Sequence, residues 1–142
     1  MMNSKLVVIL AFCFLSLSAC SQKPAKSANE AKAQNKYELL KPEEFNKRLN
    51  AEPGIILDVR TPNELKKGML KNAVSLDIFR DDFEAQVDKL DKSKTYYVYC
   101  AAGGRSSEAV EMMQKKGFAK VIDLDGGISK WINSGLPVEM PK

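Results

Sequence analysis

Within six residues the chain sets a thiol, two adjacent glycines and a guanidinium: Cys100-Ala101-Ala102-Gly103-Gly104-Arg105, with Ser106 next. Each type contributes something to chemistry at sulfur. A cysteine acts as a nucleophile when ionised, and its pKa of about 8.5 falls at helix N-termini and beside arginine. Small residues let backbone N–H groups curl around one point, and such a nest ahead of a helix is an anion site. Arginine adds a fixed charge and a two-pronged donor for an oxyanion. By themselves these residues leave two readings open. One is a reactive thiol in an anion cradle. The other is an inert buried cysteine ahead of a glycine turn, which is common in proteins.

The flanking elements decide where that thiol would stand. Thr95–Cys100 is aromatic, branched and uncharged, which reads as a central strand. In Arg105–Phe118, Ala109, Val110, Met112 and Met113 share one helical face and Gly117 is placed to cap the end. Gly54–Val59 and Ala119–Leu124 read as further buried strands, and Ala73–Ile78 as a short one. Helices are expected over Leu39–Asn50, entered through Pro42, and from Phe79 to Leu90, where Phe79, Phe83, Val87 and Leu90 recur at helical spacing. Thr61-Pro62 opens a short helical turn closed by Gly68. Asp125-Gly126-Gly127 turns the chain into a last helix carrying Ile128, Trp131 and Ile132. Strands alternating with helices imply an α/β fold, a central parallel sheet with helices on both faces. Ligands of such sheets bind beyond the carboxyl ends of the strands, where Cys100 falls.

Composition excludes several kinds of chemistry. The 142 residues include no histidine. Ser-His-Asp triads, Cys-His dyads and histidine metal sites are therefore absent, and neither a metal nor a cofactor is called for. The net charge is +4, but it is unevenly placed. From Tyr37 onward there are 17 of the 22 basic and 17 of the 18 acidic residues, so the candidate domain is neutral. That disfavours a nucleic-acid partner, which needs a basic patch on the folded part.

The first 36 residues read as an address and a spacer. Lys5 precedes an apolar stretch, Leu6–Leu17, too short to span a membrane and the right size for a secretory signal. Leu17-Ser18-Ala19-Cys20 resembles the bacterial lipobox, which implies cleavage before Cys20 and lipidation there. An ordinary signal peptide or an uncleaved anchor are the other readings. Residues 1–19 are thus expected to be a lipoprotein signal and residues 20–36 a lipidated flexible tether, too poor in large apolar groups to fold. The protein is then expected in the cell envelope, held to a membrane by lipid. With Cys13 removed and Cys20 alkylated, Cys100 is left without an intramolecular disulfide partner.

The spacing Cys-x-x-Gly-x-Arg-Ser resembles the active-site loop of the rhodanese family. Leu57–Leu76, with Asp58-Val59-Arg60, Glu64 and Gly68, resembles a second motif of that family. Val121–Val138, with Gly126-Gly127, Trp131 and Gly135-x-Pro137, resembles a third. The resemblance runs from about Leu39 to Pro141, in the family's order and spacing. One departure is Gly68-Met69-Leu70, where the family often has Gly-His-Ile. The resemblance implies a single rhodanese-like domain over residues 39–141 and a sulfurtransferase mechanism. Cys100 attacks the sulfane sulfur of a small anionic donor such as thiosulfate, becomes a persulfide, and passes the outer sulfur to cyanide, a thiol or a protein acceptor. On this reading the amides of Ala101, Ala102, Gly103, Gly104 and Arg105 hold the persulfide, and Arg105 helps neutralise the donor. Ser106 orients the loop and Asp58 supports it from the neighbouring strand end. Arg60 and Glu64 are expected to form a structural ion pair.

Three other functions are weighed against this. A phosphatase relative would carry five residues between cysteine and arginine, not the four here. Thiol–disulfide exchange would want a second cysteine in the domain. A sulfane-sulfur carrier or partner-binding module shares every residue of the loop and differs only in turnover.

Overall fold

A computed structural model describes residues 36–141. Ten elements follow one another: β1 (Lys36–Leu40), α1 (Pro42–Ala51), β2 (Ile55–Asp58), α2 (Pro62–Leu65), β3 (Val74–Ser75), α3 (Phe83–Asp88), β4 (Thr95–Tyr99), α4 (Gly104–Lys115), β5 (Lys120–Leu124) and α5 (Gly127–Asn133). The strands form one parallel sheet in the order β1-β5-β4-β2-β3. The central strand is β4, the uncharged aromatic run. Its side chains alternate between two apolar layers. Tyr96, Val98 and Cys100 pack with Phe83 and Val87 of α3 and Ala109, Val110 and Met113 of α4. Tyr97 and Tyr99 pack on the other face with Phe45 of α1 and Ile128 and Trp131 of α5. This period-two division is what a strand buried on both sides requires, and it gives the α/β architecture with helices on both faces.

Several expectations need correction. β1 was not anticipated as a strand: Leu39 is exposed, and two charged residues flank the short apolar stretch. It exists because its backbone pairs with β5 from Lys36↔Lys120 to Leu40↔Leu124. The strand expected over Ala73–Ile78 shrinks to Val74–Ser75 at the sheet edge. The helix expected from Phe79 starts at Phe83 instead. The Phe79 N–H donates to Asp77 Oδ1 at 3.0 Å, a local turn that competes with helix formation, and the Phe79 ring is 68% exposed. Ile132 likewise faces outward, whereas Trp131 is buried and donates to the Pro137 carbonyl at 2.9 Å. At the departure from the family motif, Leu70 is buried, and its N–H donates to the Tyr99 hydroxyl at 3.1 Å. Burial pushes the Tyr99 phenol far above its ordinary pKa of 10.0, so that oxygen stays a neutral acceptor.

Because the sheet is parallel, the segments after β2, β3, β4 and β5 all emerge at one edge. They carry Asp58–Glu64, Asp77–Phe79, Cys100–Ser106 and Asp125–Ser129 respectively.

Candidate active site

Cys100 is the first residue beyond β4 and is 1% exposed. The Gly103 N–H donates to its sulfur at 3.1 Å. That bond needs a backbone few residues adopt: Gly103 has φ +103° and is the N-cap of α4. The Gly103 carbonyl then accepts the first helical bond, from Ser107 N–H at 3.0 Å, and a second bond from the Ser106 hydroxyl at 3.0 Å. Ser106, expected to orient the loop, does so through this bond.

The other side of the loop is held by α5. Ile128 N–H donates to the Cys100 carbonyl at 2.9 Å, and Ser129 N–H to the Ala101 carbonyl at 3.1 Å. With its carbonyls bonded on that side, the loop is free to present N–H groups to the sulfur, as Gly103 does. Gly127 makes the approach possible. A Cβ on it would stand 2.5 Å from the Cys100 carbonyl oxygen and 2.7 Å from the Ala101 carbonyl carbon.

The charged residues pair differently from the expectation. Arg60 does not pair with the Glu64 carboxylate. It binds Asp58 through Nε at 2.9 and 3.1 Å and through Nη2 at 2.6 Å, both side chains almost wholly buried. A buried pair of this kind is retained only with good geometry, and losing one partner typically costs about 3–5 kcal/mol. Arg60 also donates to the carbonyls of Gly68 at 2.8 Å and Glu64 at 3.4 Å, and lies over the Tyr99 ring. Asp58 and Arg60 therefore fix the segment that carries Glu64. Glu64 in turn caps α2 by accepting from the Thr61 N–H and hydroxyl at 3.1 and 2.9 Å. Its two oxygens take the guanidinium of Arg105 at 2.8 and 2.6 Å. Arg105 holds the Glu64 carboxyl down at about 2. The expected two-pronged donor is thus present beside the cysteine loop, but its prongs are engaged.

One buried carboxylate escaped the sequence reading. Asp123, inside β5, is 1% exposed, and its Oδ1 has no hydrogen-bond partner. Burial raises its pKa from 3.8 to about 6, only partly offset by backbone and side-chain hydrogen bonding that favours the anion. Between about pH 4 and pH 6 the folded chain holds a proton that the unfolded chain has lost. Stability therefore falls as pH rises through that window. Asp123→Asn is expected to be more stable than the parent at pH 7, by roughly 2 kcal/mol. The difference should vanish below pH 4. Glu64 acts in the opposite sense: its contribution is present above 4.5 and lost as pH falls through about 2. The measurement is accordingly the difference in denaturant midpoint between variant and parent across pH. A gap that does not change with pH would contradict the assignment.

The structure thus gathers Cys100 and Ala101–Ser106 in one loop, whereas Asp58 and Arg60 bond to each other and to the Glu64 and Gly68 carbonyls and reach the loop only through Glu64, which binds Arg105. Cys20 lies outside the described residues. Among the described residues, a groove of about 560 Å³ between α1 and the Leu70–Val74 segment is lined by none of the cysteine-loop residues.

Comparison with known proteins agrees with this fold. The family model of the rhodanese-like domain matches residues 41–134. A sulfurtransferase of Allochromatium vinosum is 31% identical over 101 residues, which cover 70% of this chain and 92% of that protein. A tRNA uridine(34) hydroxylase of Pelagibacter ubique is 35% identical over 95 residues, 66% of this chain but only 31% of the hydroxylase. Among solved structures, a rhodanese-related protein from Thermoplasma volcanium superposes with a TM-score of 0.66 at 32% identity, covering 74% of this chain and all of that one.

Proposed function

The chain belongs to the rhodanese-like domain family, and within it we propose a sulfurtransferase that carries sulfane sulfur as a persulfide on Cys100. The observation that carries this reading is the Gly103 N–H on the Cys100 sulfur, at the mouth of a loop whose carbonyls are tied to α5. In the first half-reaction the Cys100 thiolate attacks the outer sulfur of a donor. The donor's S–S bond breaks, its remainder leaves with the electron pair, and the cysteine becomes a persulfide. The anionic outer sulfur then lies beside the α4 N-terminus, where backbone N–H groups favour negative charge. In the second half-reaction a thiol, a protein acceptor or cyanide attacks that sulfur and restores the thiolate. Both steps are exchanges at sulfur and need no histidine.

Thiosulfate is the simplest donor for this scheme, and turnover of thiosulfate to thiocyanate in the presence of cyanide tests it. A second reading is a low-turnover carrier of sulfane sulfur. It is favoured by the engagement of Arg105 with Glu64, which leaves the loop without a free side-chain cation. Loading of Cys100 without sustained turnover would select the carrier.

The address segment extends the proposal. The sequence Leu6–Leu17 followed by Leu17-Ser18-Ala19-Cys20 supports a lipid anchor at Cys20 and a place in the cell envelope. Cys20→Ala is expected to move the protein from the membrane fraction to the soluble fraction. Retention on membranes would overturn the anchor.

A further inference from the structure

We propose that Glu64 selects the sulfur donor: by occupying Arg105 it favours an organic hydropersulfide, R–S–S–H with an apolar R group and at most one negative charge, over the thiosulfate dianion. This rests on the persulfide chemistry proposed for Cys100. Three observations point the same way. First, both terminal nitrogens of Arg105 are bonded to Glu64, at 2.8 and 2.6 Å, so the guanidinium is neutralised and its fork is filled. Second, the loop between Cys100 and Arg105 is Ala101-Ala102-Gly103-Gly104, which offers no side-chain charge or donor. Third, the ring of Phe79 lies 5.5 Å from the Arg105 guanidinium, is 68% exposed, and presents apolar surface at the rim.

The charge balance follows. The groups acting on Arg105 include two carboxylates, Glu64 and Asp77, together with Cys100 itself. Asp77 in turn lies near the Arg80 guanidinium, which is paired with Asp82, so the groups about Arg105 and Asp77 come to two cations and three carboxylates. A dianion approaching the Cys100 thiolate therefore meets like charge with only backbone N–H groups to offset it. A hydropersulfide carries at most one negative charge and meets a smaller barrier, and its R group has the Phe79 ring to lie on.

The transfer balances without a further reagent. The Cys100 thiolate forms a bond to the terminal sulfur of R–S–S–H. The S–S bond of the donor breaks, and R–S⁻ leaves with the electron pair and takes up the proton. The products are Cys100–S–S⁻ and R–S–H, with no net oxidation.

The test compares single-turnover loading of Cys100 by thiosulfate and by benzyl hydropersulfide, read by intact mass. The parent, Glu64→Gln and Phe79→Ala are measured. Glutamine keeps an acceptor for the Thr61 cap but removes the charge. The parent is expected to load faster from benzyl hydropersulfide. Glu64→Gln is expected to raise the thiosulfate rate relative to the hydropersulfide rate at least about fivefold, and less at high salt. Phe79→Ala is expected to lower the hydropersulfide rate about threefold relative to thiosulfate. Because the Phe79 ring is exposed, that variant decides the matter if Glu64→Gln fails to fold. A donor ratio that is the same in all folded variants, with Cys100 still loading, overturns donor selection and leaves the sulfurtransferase reading standing. No loading from either donor removes both.

Discussion

Gly127→Ala is expected to disable the Cys100 loop although residue 127 carries no chemistry of its own. Gly127 has φ +60°, a left-handed conformation that costs a side-chain-bearing residue about 1 kcal/mol or more. The larger cost is steric. The added methyl would stand 2.5 to 2.7 Å from the backbone of Cys100 and Ala101, and backbone atoms cannot swing aside as a flexible side chain can. Either α5 or the loop must move, and the bonds from Ile128 and Ser129 to the loop carbonyls are weakened. A loss of about 2–4 kcal/mol is expected, with a fall in Tm of about 10 °C or more. Misplacing the sulfur by about 1 Å should cost on the order of 100-fold in the rate of loading. Gly135→Ala is the control. Gly135 also has positive φ, +74°, but a Cβ there meets nothing within 4 Å. It should show the conformational cost alone and load normally. Equal behaviour of the two variants would contradict the support assigned to Gly127.

The second large effect concerns the nucleophile. Cys100→Ser replaces a thiol by a hydroxyl, which is neither ionised at neutral pH nor a good nucleophile toward sulfur. Sulfur transfer should fall by at least about three orders of magnitude. The fold should persist, because a hydroxyl oxygen can still accept the Gly103 N–H. Loss of transfer with retained Tm separates chemistry from packing, which matters for a cysteine 1% exposed within the core.

Much of this arrangement was legible in the residues. The strands β2, β4 and β5 announce themselves as short branched or aromatic runs between turn signals. The cysteine loop is local in sequence, so its small residues and its helix could be read together. What escaped depends on tertiary approach. Glu64 and Arg105 are 41 positions apart, and only the folding of the Asp58–Gly68 segment onto Arg60 brings the carboxylate to the guanidinium. Read alone, Arg60 and Glu64 look like partners four residues apart on a helix, but Arg60 precedes α2 and turns to the buried Asp58. Phe79 keeps helical spacing with Phe83, yet Asp77 captures its N–H and the ring is left outside. Gly127 reads as part of a turn, and its contact with the loop of another strand is invisible until the chain is folded. Asp123 did carry a signal, a charge in the middle of the apolar run Val121-Ile122-Asp123-Leu124.

The most direct test of the central claim is the intact mass of the purified protein after incubation with a sulfane-sulfur donor, thiosulfate and benzyl hydropersulfide in turn, beside Cys100→Ser. The account predicts a gain of one sulfur atom on the parent, lost on addition of cyanide and absent from the variant. No gain with either donor, in protein whose Cys100 remains alkylatable after unfolding, would contradict it.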